Sequence, residues 1–207
     1  MDYNPAAKEI HIEKVLNELD KFTIDFISIL QKYADYVIVS GYVSILLGRT
    51  RGSEDVDLLI PPMAFSSFES LFSELLSKKY ECANTSIVGE AYELLDEHAI
   101  RFFREGVPVP NIEFKKISSD IQRQSFQNRI KVILQNATLF VSPLELQIAY
   151  KLSLMSDMDI KDISSDKDFE DAKHLYELFK EKLNKEEMLY FVGRLCVERK
   201  FKILKNE

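Results

Sequence analysis

The chain has 207 residues, 46% of them hydrophobic and 29% charged, with a net charge of −7, a composition that can bury a core and is too apolar for a disordered chain. The negative balance excludes bulk, sequence-independent binding of nucleic acid, which rests on neutralising phosphates with Lys and Arg. No apolar run approaches the length needed to span a bilayer. Residues 1–5 lack a basic signal stretch, and Cys82 and Cys196 lack metal or CxxC spacing, so a reducing, cytoplasmic setting is expected.

Across residues 6–33, Ile10, Val15, Leu19, Phe22, Phe26, Ile29 and Leu30 recur at helical spacing, which predicts one or two helices before the first strand. Tyr36-Val37-Ile38-Val39 is a short β-branched run that stops at Ser40-Gly41, and residues 43–47 have helical composition. A small-residue turn between strand and helix presents backbone N–H groups and the positive end of a helix dipole, a place for a phosphate.

The next strand, Asp55-Val56-Asp57-Leu58-Leu59-Ile60, carries two acids inside an apolar run. With a side-chain period of two, both carboxylates project from one face, their Cα atoms roughly 6.5 Å apart. At an effective dielectric near 20 they repel by about 2–3 kcal/mol. A partly buried face that keeps both needs a raised pKa or a cation. A divalent metal is the simplest choice, because Mg²⁺ favours one or two carboxylates plus substrate phosphates. The plain alternative is an edge strand whose acids merely face solvent.

After Pro61-Pro62, residues 65–76 read as a helix with Phe68, Leu71, Phe72, Leu75 and Leu76 on its apolar side. Residues 80–83 and 99–104 read as strands, while 91–97 is ambiguous. In Asn111-Ile112-Glu113-Phe114-Lys115, the alternation gives a half-buried strand with Glu113 facing away from the core. The basic residues Lys115, Lys116, Arg123, Arg129 and Lys131, and those of the tail from Arg194 to Lys205, read as solvated faces; an RNA acceptor is reachable only through such a patch.

Val141-Ser142-Pro143-Leu144-Glu145 predicts a helix start with Ser at N-cap, Pro at N1 and Glu at N3, followed by the buried stripe Leu144, Ile148, Leu152 and Met155. An acidic loop is expected over 156–166. A helix then begins near Lys167, with Asp168 and Asp171 one turn apart on one face, an arrangement the helix dipole favours in any case. A final helix over 185–201 is expected to pack Met188, Leu189, Phe191, Val192, Leu195 and Cys196. Alternating strands and helices imply an α/β (α+β) fold, a mixed sheet flanked by helices, with a first domain over 1–140 and a helical subdomain over 141–207.

Ser40-Gly41-Tyr42, then Gly48, then Arg51-Gly52-Ser53-Glu54-Asp55-Val56-Asp57-Leu58 resembles the signature of polymerase-beta-type nucleotidyltransferases, most of all the minimal members that include AbiEii-type toxins. One departure is Ser40, which stands where the first glycine of that pattern falls. The resemblance implies a nucleotidyltransferase fold and an NTP as donor. It also implies a site in which Asp55, Asp57 and Glu113, the third carboxylate from a neighbouring strand, share magnesium, two ions, with Mn²⁺ able to replace them. Glu113 would take or orient the acceptor proton; an ordinary surface Glu is the alternative. Ser40 and Gly41 would hold phosphates, Arg51 would neutralise them, and Ser53 would bond a phosphate or cap the strand entry. The alternative for both is a simple connecting loop. Lys151, in a Lys-Leu pair, resembles a lysine that faces the triphosphate, and a snorkelling surface Lys is its alternative. Lys167-Asp168-x-x-Asp171 resembles a further helix of the same family, with Asp168 near the nucleotide or holding Lys151 or Arg51. A toxin would imply a cognate antitoxin partner. Two other readings stay open: a catalytically silent nucleotide-binding regulator, and an α/β interaction module.

Overall fold

The computed structural model describes residues 1–155 and 166–205. Its centre is a mixed sheet in the order β1-β2-β8-β9-β3-β4-β7-β6-β5. The strands are β1 (Asp2–Asn4), β2 (Glu9–Ile12), β3 (Val37–Val39), β4 (Asp55–Ile60), β5 (Tyr80–Cys82), β6 (Ile100–Arg104), β7 (Val107–Lys116), β8 (Ile130–Leu134) and β9 (Ala137–Val141). The helices are α1 (Glu18–Leu30), α2 (Gly41–Leu46), α3 (Phe65–Ser77), α4 (Val88–Leu94), α5 (Asp120–Gln127), α6 (Leu144–Leu154), α7 (Lys167–Phe179), α8 (Lys185–Arg194) and α9 (Glu198–Leu204). The α/β class expected from the alternation of elements is the class observed.

Burial follows the two periodicities. In β4, Val56 and Leu58 are fully buried while Asp55 and Asp57, which alternate with them, are partly exposed. β4 runs antiparallel to β3 and parallel to β7, so the acid-bearing strand lies inside the sheet. It is not an edge strand. Leu144, Ile148 and Leu152 of α6 are fully buried and belong to the same apolar cluster as the sheet residues Ile38, Leu58 and Phe114.

Three expectations are corrected, and one further region is added. Residues 2–12 form an antiparallel edge pair of strands, and α1 starts only at Glu18 behind an Asn17 capping box. Ile10 and Ile12 are buried with exposed His11 between them, a period-two pattern inside what reads as a helical repeat, and Val15 is exposed. Ser142 does not cap α6: its N–H donates to the Ile38 carbonyl at 2.9 Å, extending the sheet by one residue, so Pro143 becomes the N-cap. Glu145 instead accepts from the Asn184 N–H at 2.7 Å. The last helix is two, α8 and α9, broken where Cys196 takes a positive φ of 56°; Leu189 and Cys196 are exposed. Finally, 117–141 holds α5 and the β8–β9 hairpin, in which Arg129 stacks on Phe126 and Phe140. The ambiguous 91–97 falls largely within α4 and the turn after it. Of the expected acidic loop, 156–165 lies outside the described residues, and Asp166 caps α7.

Candidate active site

Asp57 and Glu113 are direct partners in the register of the parallel pair β4–β7, while Asp55 faces Asn111. Adjacent strands are about 4.8 Å apart, so the third carboxylate expected from a neighbouring strand stands beside the second acid. Their side chains are 16% and 15% exposed. Lys115, two residues beyond Glu113 on the same strand face, reaches both: its Nζ lies 3.1 Å from Asp57 Oδ1 and 2.8 Å from Glu113 Oε2. Arg101 of β6 donates to the other Glu113 oxygen at 2.9 Å.

The two carboxyls respond in opposite directions. Burial, then the hydrogen bond its protonated form gives to Glu113, pushes Asp57 up to about 6. Glu113 is buried too, but the bonds from Asp57 and Lys115 and the charge of Arg101 outweigh that and hold it down at about 2. Lys115 is raised: burial opposes its charge, and the two carboxylates more than restore it. Like charges placed side by side separate their titrations in this way.

Asp55 accepts from the Ser53 hydroxyl at 3.3 Å, which also reaches the Asp55 carbonyl at 3.0 Å. Ser53 thus ties the entry to β4.

The turn after β3 carries an unusual backbone. Ser40 sits at φ 64°, ψ −140°, a conformation that glycine adopts freely and other residues rarely. The buried amide of Gln147 on α6 holds it there: Oε1 accepts from the Ser40 N–H at 3.2 Å, and Nε2 donates to the Ser40 carbonyl at 2.6 Å. The serine is therefore held in a backbone shape that glycine adopts freely, at a cost of about 1–3 kcal/mol. Ser40→Gly should raise the unfolding free energy by about 1–2 kcal/mol; denaturant unfolding checks this, and a loss of stability would show that the hydroxyl is needed. Gly41 is required for a different reason. A Cβ there would collide with the Arg51 guanidinium.

Arg51 is fixed by Asp171. Its Nε and Nη2 each lie 3.0 Å from one Asp171 oxygen, a fork-on-fork pair. Asp171 is fully buried and also binds Arg49 and Lys151, the latter at 2.8 Å. Lys151, only 2% exposed, bonds Asp168 at 2.6 Å as well. Lys151 is therefore no snorkelling surface residue, and Asp168 does hold it in place. Three cations against two carboxylates leave this wall one positive charge in excess.

All the expected site residues except Glu113 line one cleft of about 610 Å³, with the acids of β4 on one wall and Lys151, Lys167 and Asp168 on the other. A second chamber of about 370 Å³ shares Ser40 and Asp57 with it and continues past Lys115 to Tyr150 and the hydroxyl of Ser125, which is buried without a partner. Asp57 stands at the junction of the two.

Among the described residues, no group of three or more Asp, Glu, His or Cys side chains forms a metal cage. Asp55 and Asp57 make a two-carboxylate oxygen set open to the cleft, which fits Mg²⁺ or Mn²⁺ completing its shell with phosphates and water.

No family model matches the chain, and no curated protein matches its sequence. Its shape does match solved structures. An antigenic nucleotidyltransferase-like protein from Paracoccidioides brasiliensis superimposes with a TM-score of 0.55 at 16% identity, over 89% of this chain and 90% of that one. The fold is that of a nucleotidyltransferase. The antibiotic-resistance factor ANT(2'')-Ia is similar too, with a TM-score of 0.54 at 11% identity, over 92% of this chain and 97% of its own. No helix among the described residues of this nucleotidyltransferase fold is long and apolar enough to cross a membrane.

Sequence reading missed Lys115, Arg101, Arg49 and Gln147. The spacing of Lys115 from Glu113 was a legible signal, since i and i+2 on a strand share a face. Gln147 gave none, because its partner is a backbone more than a hundred positions away.

Proposed function

We propose that this chain is a metal-dependent nucleotidyltransferase that moves a nucleoside monophosphate from an NTP to a hydroxyl acceptor. The observation that carries the reading is the cleft with Asp55 and Asp57 on one wall, Lys151 on the other, and Glu113 beside Asp57. In such a cleft the triphosphate lies between the walls. Lys151, pre-set by Asp168 and Asp171, meets its negative charge, and the turn at Ser40-Gly41 supports it through backbone groups. Asp55 and Asp57 would hold magnesium or manganese, which would neutralise charge on the phosphates and the leaving group.

The acceptor oxygen bonds to the α-phosphorus as the bond from that phosphorus to the α–β bridging oxygen breaks. Pyrophosphate leaves with the electron pair, and the acceptor proton passes to solvent water in the open cleft. Glu113, held at about 2, is a poor proton acceptor near neutrality, which favours an orienting role over that of general base. Arg51 acts through position: locked on Asp171, it packs under Gly41 and shapes the phosphate turn.

Ser40 is the feature that favours a silent nucleotide-binding relative, yet its backbone has the glycine-like shape, which supports an active site. The division into a catalytic unit over 1–140 and a helical unit over 141–207, an AbiEii-like toxin role with a cognate antitoxin, a cytoplasmic site of action, and RNA, protein or a small molecule as acceptor belong to this proposal. The toxin role rests on the motif at 40–58 and on Lys167-Asp168-x-x-Asp171, the division on the helical pattern after residue 141, and the cytoplasmic setting on two cysteines without metal or CxxC spacing. Incubation with α-labelled NTP and Mg²⁺ tests the activity: label should move to an acceptor in the wild type and not in Asp55→Asn. Transfer that survives Asp55→Asn would refute the assignment.

A pH dependence follows from Asp57. Because its carboxyl must be ionised to bind a metal, Mn²⁺-dependent nucleotide binding should weaken about tenfold per pH unit below about 6 and level off above it. Calorimetry across pH 4.5–8 checks this; a flat profile would exclude Asp57 as a ligand.

A further inference from the structure

Among the described residues, Lys115 is the one cation that touches both members of the Asp57–Glu113 pair, at 3.1 Å and 2.8 Å. Two-metal enzymes hold ions about 3.5–4 Å apart, and the Lys115 ammonium puts a positive charge between two of the three acids that the resemblance assigns to such ions. An ammonium is a compact point charge with several donors, able to bond one oxygen of each carboxylate at once. The remaining Glu113 oxygen is taken by Arg101, so this carboxylate has both oxygens engaged by protein cations.

The two clefts divide the acids accordingly. Asp55 and Asp57 line the phosphate cleft, whereas Lys115 lines the second chamber with Asp57. Glu113 lines neither cleft, and its two oxygens bond Arg101 and Lys115. This also accounts for the absence, among the described residues, of any three-acid metal cluster.

We propose that the Lys115 ammonium is a resident cation of the carboxylate group, standing in for one of the two ions the sequence pattern implies, so that the site takes a single divalent ion on the Asp55–Asp57 side. This rests on reading the cleft as a nucleotidyl-transfer site. Lys115 is a positioning residue: it neutralises the carboxylate pair from within the fold and orients Glu113 beside the shared chamber. The single exchangeable ion arrives with the nucleotide, since two carboxylates without the phosphates make an incomplete shell.

The test is Mn²⁺ stoichiometry, read by electron paramagnetic resonance and calorimetry on the whole protein, with Mn²⁺ alone and with each of the four α,β-methylene NTPs. Wild type should bind one Mn²⁺ per nucleotide complex. Lys115→Met, which removes the charge and keeps the stem, should bind two, with the affinity for Mn²⁺ alone rising tenfold or more. Lys115→Arg, which restores a cation, should return the count to one and guards against a folding defect in the Met variant. Two ions in the wild type, or one in a folded Lys115→Met, overturns the proposal while leaving the nucleotidyl-transfer reading intact. Mn²⁺-dependent nucleotide binding absent from wild type and both variants overturns both.

Discussion

Asp57→Asn should abolish metal-dependent NTP binding and lower any transfer rate by at least about a thousandfold, while leaving the protein as stable as the wild type or more so. The two halves of this expectation have different causes. Function is lost because Asp57 is the carboxylate common to both clefts, so no neighbouring acid stands in for it. Stability is retained because the ionised form is unfavourable where it sits. The folded-state value of about 6 lies above the ordinary 3.8, so the protonated form contributes stability that is complete below 3.8 and lost as pH rises through about 6. At pH 7 the charge is a net cost of up to roughly 3 kcal/mol. Glu113 works in the opposite sense: with its value lowered from 4.5 to about 2, its contribution is present above 4.5 and is lost as pH falls through about 2. Because the pair is coupled, the gain from Asp57→Asn should be smaller, about 0–2 kcal/mol. Thermal melts at pH 7 and at pH 4.5 check this, with the advantage of Asn shrinking at the lower pH. A large loss of stability at pH 7 would show that Asp57 holds the sheet together, and that Lys115 needs it as a structural partner.

Replacing Asp171 should do the reverse, with a large loss of stability. This carboxylate is fully buried and binds Arg49, Arg51 and Lys151 together. Asp171→Asn leaves three cations around a neutral amide, with only Asp168 to balance them. Breaking a buried pair from one side costs about 3–5 kcal/mol, or roughly 6–20 °C in melting temperature for a chain of this size. Its pKa is lowered because the bonds from Lys151 and Arg49 and the charge of Arg51 outweigh burial. The stability it contributes is thus complete above 3.8 and is lost as pH falls through its lower folded value. The variant should therefore be most impaired at neutral pH and approach wild type in strong acid. Nucleotide affinity should fall as well, because Lys151 and Arg51 lose the group that aims them. Unaltered melting at pH 7 would mean that the cluster is decoration.

Local signals in the sequence carried the parts of this molecule that are local. Asp55 and Asp57 share a strand face because a strand has a period of two, and the buried Val56 and Leu58 enforce it. The turn at Ser40-Gly41 and the stripe Leu144, Ile148, Leu152 were legible for the same reason. Residues whose role depends on distant chain were not. Ile10 and Ile12 fit a helical repeat and a strand equally well, and pairing with β8 decides for the strand. Ser142, Pro143 and Glu145 spell a capping box, yet sheet continuation takes the Ser142 N–H and the α8 terminus takes the Glu145 carboxylate. Arg51 lines the cleft, yet the Asp171 carboxylate that fixes it lies 120 positions away, beyond any local pattern. The facing of Glu113, between buried Ile112 and Phe114, was legible by alternation, whereas its place as a third acid was implied only by the resemblance. Its neighbour in space, Arg101, arrives through the β6–β7 register.

A crystal soaked with Mg²⁺ and a non-hydrolysable NTP tests the central claim most directly. The expected density is a metal on Asp55 and Asp57, with the triphosphate running from Ser40-Gly41 toward Lys151 and the α-phosphate beside Asp57. A nucleotide bound elsewhere, or one in the cleft whose phosphates point away from both acids, would contradict it.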